Sequence, residues 1–247
     1  MTHLLFLHGL GGGHHAWDRQ LPYFSARGYP SHAWDQPGYG HSPSVEPYDF
    51  AQVTAALKSL VDSFRGERVI LVGHSMGGFV AQEAYARFPQ SFKALVLCFT
   101  SPSFGGGSEE FVRQFIAARV GPLDQGKSMA QIAATLMPAM RGARSSDEGV
   151  AHAQGIMAGI SAQTYRNAVG LLTTFDRKKD LGAISVPTLL VAGSDDKTAP
   201  PQVMGKMAKE IPSAEFVVLK GCGHLGPMDQ PEEFNAVLES FLRRHKL

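Results

Sequence analysis

Residues 73–78 read Gly-His-Ser-Met-Gly-Gly. A serine with glycines two before and two after it can be held in a tight turn that presents its hydroxyl to a substrate. A serine hydroxyl is a weak nucleophile at neutral pH, so attack by Ser75 would need a histidine to take its proton and a carboxylate to orient that histidine. Of the ten histidines, His224 is the one placed in a glycine-rich loop downstream of the serine, within Gly221-Cys222-Gly223-His224-Leu225. The acid is expected one loop earlier, in Gly193-Ser194-Asp195-Asp196-Lys197-Thr198-Ala199-Pro200. Spacing leaves Asp195 and Asp196 both open, because either could serve only to cap the turn. Acyl transfer also needs donors for a developing oxyanion. The backbone N–H of Met76, next to the nucleophile, supplies one. The second is expected from His8-Gly9-Leu10-Gly11-Gly12-Gly13, most simply from the N–H of Leu10.

These residues can meet only if the elements between them bring them to one edge of the molecule. Short apolar runs recur at Leu4–Leu7, Val69–Val72, Ala94–Cys98, Thr188–Ala192 and Phe216–Leu219, with a weaker one at Ser31–Trp34. Continuous apolarity predicts strands covered on both faces, as in a parallel sheet. Helical spacing runs from a cap at Asp49 through Val53, Leu57, Leu60 and Phe64, and again from Ser75 to Phe88-Pro89. A last helix opens on Pro231-Glu232-Glu233 and closes on Arg243-Arg244-His245-Lys246, with acids first and bases last as the helix dipole favours. Strand and helix in alternation predict an α/β, doubly wound sheet whose ligands bind at the carboxyl ends of the strands. Residues 103–180 break that rhythm, being rich in Gly, Ala and Met without a convincing strand. They are expected to form a helical lid inserted into a core made of residues 1–102 and 181–247.

Other features have plainer readings. The run Gly9-x-Gly11 with Asp35 some way downstream imitates a dinucleotide-binding turn, but the third glycine of that fingerprint would fall on His14. Asp35-Gln36-Pro37-Gly38-Tyr39-Gly40-His41-Ser42 reads as a structural loop bordering the site. His14 and His15 lie near the expected pocket mouth, with surface positions the simpler reading. Met129, Met137, Met140 and Met157 suit either an adaptable acyl pocket or ordinary core packing. No cluster has metal-ligand spacing, and no cofactor is expected.

With 23 Lys+Arg against 22 Asp+Glu in 247 residues, the chain has no excess charge with which to bind phosphates or an anionic membrane. Nucleic acid and membrane are therefore not expected partners. The two cysteines, Cys98 and Cys222, are far apart and carry no disulfide signature. The start of the sequence has no secretory pattern, and a cytoplasmic location is expected.

The motifs HGLGGG at 8–13, DQPGYGHS at 35–42, GHSMGG at 73–78, GSDDKTAP at 193–200 and GCGHLGPMDQPEEF at 221–234, in that order, resemble the α/β-hydrolase family over essentially the whole chain. Within it, the chain looks most like enol-lactonases of the 3-oxoadipate type and related small carboxylesterases. The resemblance places the acid on Asp196, since the family loop reads Gly-x-x-Asp-x-x-x-Pro. It implies a Ser75-Asp196-His224 triad acting on a small-molecule ester or lactone. Carbon–carbon hydrolysis of a ring-fission product and a slow ligand receptor are the alternatives on the same fold. The resemblance begins at the strand before HGLGGG, without the two strands that precede it in the family, so a sheet of about six strands is expected, with an exposed edge that favours a homo-oligomer. Arg141, Arg144 and Arg166 are candidates for holding a substrate carboxylate, with solvated surface arginines the simpler reading.

Overall fold

In the computed structural model, which describes residues 1–105 and 108–247, the six apolar runs are strands. They are β1 (Thr2–Leu7), β2 (Ser31–Trp34), β3 (Arg68–His74), β4 (Phe92–Cys98), β5 (Thr188–Gly193) and β6 (Ala214–Leu219). The helices are α1 (Gln20–Ser25), α2 (Phe50–Ser63), α3 (Met76–Arg87), α4 (Glu109–Asp124), α5 (Met129–Ala139), α6 (Asp147–Ala158), α7 (Ala162–Thr173), α8 (Pro201–Glu210), α9 (Gly226–Asp229) and α10 (Pro231–Arg244). All strand pairs are parallel, in the order β2-β1-β3-β4-β5-β6. The order reverses between β1 and β3, the switch point at which doubly wound sheets bind ligands.

The apolar runs are continuous because each face of the sheet is covered. In β1, Leu4 and Phe6 point into one core with Ile70, Val72, Val96 and Val191. Leu5 and Leu7 point into the other, with Leu71, Leu97 and Leu190. The first core is closed by Trp17, Phe24 and the Phe234, Leu238 and Phe241 face of α10. The second is closed by Val53 and Leu57 of α2, Val80 and Ala84 of α3, and Met204 and Met207 of α8. Asp49 caps α2 as its sequence position predicts, accepting from the Gln52 N–H at 2.8 Å.

Helices α4 to α7 occupy the stretch between β4 and β5. Each opens on a serine whose side chain accepts an N–H of the first turn: Ser108, Ser128, Ser146 and Ser161. Among the described residues this stretch contains no strand, only an isolated antiparallel bridge between Ser103 and Asp176. The Phe104 N–H donates to the Phe175 carbonyl at 2.9 Å and the Arg177 N–H to the Pro102 carbonyl at 2.9 Å. The two ends of the stretch are thus tied together where they leave the sheet. Among the described residues, no helix is long and apolar enough to cross a membrane.

The first core depends on aromatic packing under β1. Phe6 is fully buried, its ring centroid 4.9 Å from that of Trp17 and 6.2 Å from that of Phe24. Phe6→Ala is expected to lower the unfolding free energy by about 3–5 kcal/mol in urea titrations. Val218→Lys, on the outward side of edge strand β6, is expected to change it by less than about 0.5 kcal/mol.

Candidate active site

Ser75 sits between the last residue of β3 and the first of α3, at φ 53 and ψ −117. A non-glycine residue in that region costs about 1–3 kcal/mol, so its surroundings must hold it there. They do so by close backbone approach. A Cβ on Gly73 would lie 2.4 Å from the Gly77 carbonyl oxygen, and one on Gly77 would lie 2.1 Å from the Leu7 carbonyl oxygen. The Ser75 N–H donates to the Cys98 carbonyl at 2.9 Å, and the Ser75 carbonyl accepts from the Thr100 hydroxyl at 2.9 Å. The turn is therefore pinned to the ends of both β1 and β4.

His224 follows β6, and its Nε2 lies 2.9 Å from Ser75 Oγ. On the other side of the ring, Nδ1 lies 2.8 Å from Asp196 Oδ2. The other carboxylate oxygen of Asp196 accepts from the N–H groups of Thr198 at 2.8 Å and Ala199 at 3.0 Å. Burial works against ionisation of Asp196, but the adjacent His224 and these N–H donors outweigh it and hold the carboxyl below its usual range. With both oxygens engaged, the carboxylate can fix the ring with Nδ1–H toward itself, which leaves Nε2 free to accept from Ser75. Asp195 does something else. Its side chain accepts from the Ala143 N–H at 2.9 Å and the Ser194 hydroxyl at 2.7 Å, at the surface.

The sequence reading did not anticipate two contacts that place His224. His74, the residue before the serine, donates from Nε2 to the His224 carbonyl at 2.7 Å. The His224 N–H donates to the Met140 carbonyl, just past the C-terminus of α5, at 2.8 Å. The histidine loop is thus held from β3 on one side and from the α5 end on the other. Its glycines permit this approach, since a Cβ on Gly223 would lie 2.2 Å from the Met140 carbonyl oxygen.

The glycine loop after β1 packs directly on the serine turn, with the Cβ position of Gly9 only 3.1 Å from Ser75 Cβ. The Tyr39 hydroxyl fixes that loop by donating to the Leu10 carbonyl at 2.9 Å. Among the described residues, the N–H groups of Leu10 and Met76 have no acceptor. Met76 is the first residue of α3, so its N–H belongs to the unpaired, electropositive end of that helix. Asp35 is committed elsewhere, accepting from the His14 N–H at 2.8 Å and pairing with His14 Nδ1 at 2.7 Å.

A cavity of about 150 Å³ lies over Ser75, Leu10 and His224. Met137, Met140 and Met157 line it with Phe99, Phe104 and Leu225, whereas Met129 packs in the core. His14 and His15 do not line it; His15 is exposed and pairs with Asp18. Nor do the three arginines singled out in the sequence. Arg141 pairs with Asp147, Arg144 with Glu233 and Arg166 with Asp124. Among the described residues, no cluster of His, Cys, Asp and Glu could hold a metal ion. Both cysteines are free and buried.

Comparison with known proteins places this geometry in context. The pattern of the alpha/beta hydrolase family matches residues 4–237. The chain is 31% identical to the candidate carbamate hydrolase RutD of Pseudomonas syringae pv. syringae, over 97% of this chain and 93% of that protein. It is 26% identical to 3-oxoadipate enol-lactonase 2 of Acinetobacter baylyi, over 98% of this chain and 88% of that protein. Among solved structures, a thermophilic esterase from Thermogutta terrifontis superposes with a TM-score of 0.88 at 24% identity, over 99% of this chain and 90% of that one.

Two buried histidines make the site sensitive to acid. Burial lowers His8 from 6.5 to about 4 and His74 from 6.5 to about 3, so both are neutral in the folded protein. The unfolded chain takes up these protons once the pH falls below 6.5, so their stabilising contribution is complete above that value and is lost on the way down to the folded values. The urea midpoint is expected to be flat near neutrality and to fall below pH 6.5, each ring adding up to about 1.4 kcal/mol per pH unit. His74→Gln should flatten that slope by roughly one ring's share. An unchanged slope would mean that His74 takes up its proton without unfolding.

Proposed function

The chain belongs to the alpha/beta hydrolase family, and from that premise we propose that it cleaves a small carboxylic ester or lactone through an acyl-enzyme on Ser75. The observation that carries this reading is the unbroken hydrogen-bonded line Ser75, His224, Asp196, at 2.9 and 2.8 Å, opening into an apolar cavity. In this reading Ser75 Oγ attacks the carbonyl carbon while His224 Nε2 takes its proton, and Asp196 stabilises the resulting imidazolium. The carbonyl electron pair moves onto oxygen, where the N–H groups of Leu10 and Met76 receive it. Collapse of the tetrahedral intermediate breaks the acyl–oxygen bond, and His224 returns the proton to the departing alkoxide. Water, activated by the same ring, then releases the acid and restores Ser75.

The cavity supports a small acyl group, since a void of about 150 Å³ is comparable to one that takes up benzene. The relatives named for a carbamate and an enol-lactone support cleavage at an acyl carbon bonded to a heteroatom. Hydrolysis of p-nitrophenyl esters of increasing acyl length, together with a lactone panel, tests the reading. Ser75→Ala is expected to reduce kcat by at least about 10³-fold and Asp196→Asn by roughly 10⁴-fold. Asp195→Asn, which alters only a surface loop contact, should stay within about threefold. Ester turnover by Ser75→Ala within about tenfold of the parent would remove the serine mechanism.

A further inference from the structure

Asp229 carries a buried carboxyl that the chemistry at Ser75 does not use. It ends α9, is 3% exposed, and its Oδ1 has no hydrogen-bond partner among the described residues. Burial pushes this carboxyl up, with the Ser145 hydroxyl and the charge of Arg141 acting the other way. A buried carboxyl with one oxygen unpaired costs free energy, which puts weight on the contact made by the other oxygen. That contact is with the Ser145 hydroxyl, which donates to Asp229 Oδ2.

Ser145 closes the turn that follows α5. The Gly142 N–H donates to Ser145 Oγ at 2.8 Å, and the Ser145 N–H donates back to the Gly142 carbonyl at 3.2 Å. A line of hydrogen bonds therefore runs from Gly142 through Ser145 to Asp229. Its far end is firm. The Gln20 side chain donates to the Pro227 carbonyl of α9 at 3.0 Å, and a Cβ on Gly149 of α6 would lie 2.5 Å from Asp229 Cα. Its near end lies against the histidine loop, where a Cβ on Gly142 would lie 2.4 Å from the Gly221 carbonyl oxygen and 2.5 Å from the Gly223 nitrogen. Met140, at the start of the same turn, gives its carbonyl to the His224 N–H at 2.8 Å. The bonds of Arg141 to Asp147, of Arg144 to Glu233 and of the Ala143 N–H to Asp195 are exposed, so water competes for each.

We propose that Ser145 and Asp229 are positioning residues for His224: they latch the turn after α5 onto α9, and the latched turn holds the histidine by its backbone. The catalytic consequence rests on the acyl-transfer reading of Ser75, in which a ring misplaced by about 1 Å costs roughly 100-fold in rate. Met137 and Met140 also line the cavity, so the latch joins the wall around the acyl group to the ring that moves the proton.

The test separates the latch from the cost of leaving a buried carboxylate unpaired. Ser145→Ala removes the hydroxyl, Asp229→Asn keeps an acceptor for it, and the double variant removes the hydroxyl without leaving a charge behind. With p-nitrophenyl butyrate, Ser145→Ala and the double variant are expected to lose roughly 10- to 100-fold in kcat with KM within about threefold. Asp229→Asn should stay within about threefold of the parent in both. Amide hydrogen exchange followed by NMR should show the His224 N–H of the double variant exchanging at least about tenfold faster relative to the Val72 N–H of β3. A merely structural role would speed both amides together and restore kcat in the double variant. A kcat in the double variant within about twofold of the parent, or an unchanged ratio of exchange rates, overturns the proposal and leaves ester hydrolysis intact. If the parent cleaves no ester, the acyl-transfer reading fails and the exchange ratio alone decides the latch: a rise of about tenfold supports it, and no change removes it.

Discussion

The contact on which the site depends is between backbones. Gly77, in the first turn of α3, lies so close to the Leu7 carbonyl at the end of β1 that no side chain fits between them. Only this approach lets α3 start directly under the sheet edge, and the chain can then pass from β3 to α3 only through the strained conformation at Ser75. The strain is local and is held by longer-range structure, namely the pairing of β1, β3 and β4 and the two cores that fix their separation. The same approach brings the N-terminal end of α3 and the glycine loop after β1 to the serine. The strained serine and the unpaired N–H groups are therefore consequences of one packing event.

The partners of Ser75 arrive by strand register. β5 and β6 run side by side with Gly193 opposite Leu219, so the loops that follow them begin level with each other. The Ser194 N–H donates to the Leu219 carbonyl and the Asp195 N–H to the Cys222 carbonyl, zipping the two loops together for a few residues beyond the sheet. One residue later Asp196 turns inward to His224 and accepts N–H donors from its own loop. The orientation of the acid is set by backbone hydrogen bonds, and the position of the histidine by His74, whose Nε2–H donates to the His224 carbonyl, and by the Met140 carbonyl, which accepts the His224 N–H.

This explains what could be read in advance. The positions of Ser75 and His224 at the carboxyl edge of the sheet were legible because both lie in glycine-bounded turns at strand ends, and such turns are visible as sequence. The sheet was legible because its strands are buried on both faces and therefore continuously apolar. Asp195 and Asp196 could not be separated by spacing, because no periodicity operates in a loop and the choice depends on which N–H meets the Cys222 carbonyl, 27 positions away for Asp195. The helices of residues 109–173 were placed only as a block, although the four serines that open them are a local signal that would have divided it. The arginines left open as candidates proved to be the surface arginines of the simpler reading. Arg144 is neutralised by Glu233, which is distant in sequence, and spacing cannot show such a partner.

Chemistry and selection draw on different parts of the chain. The groups that would break an acyl bond sit just past the ends of β1, β3, β5 and β6, whose relative positions the strand register fixes. Many of the other groups that line the cavity sit on α4, α5, α6 and α7, whose two chain ends leave the sheet side by side at Ser103 and Asp176. Substitutions in those helices can reshape the cavity at little cost to the serine turn, because that turn rests on β1 and β4. One exception is the carbonyl of Met140, which holds the N–H of His224. A movement of the α5 end would therefore be felt at the histidine ring, and the turn after it is tied to the same loops, with the Ala143 N–H donating to Asp195 and the Arg144 N–H to the Gly221 carbonyl.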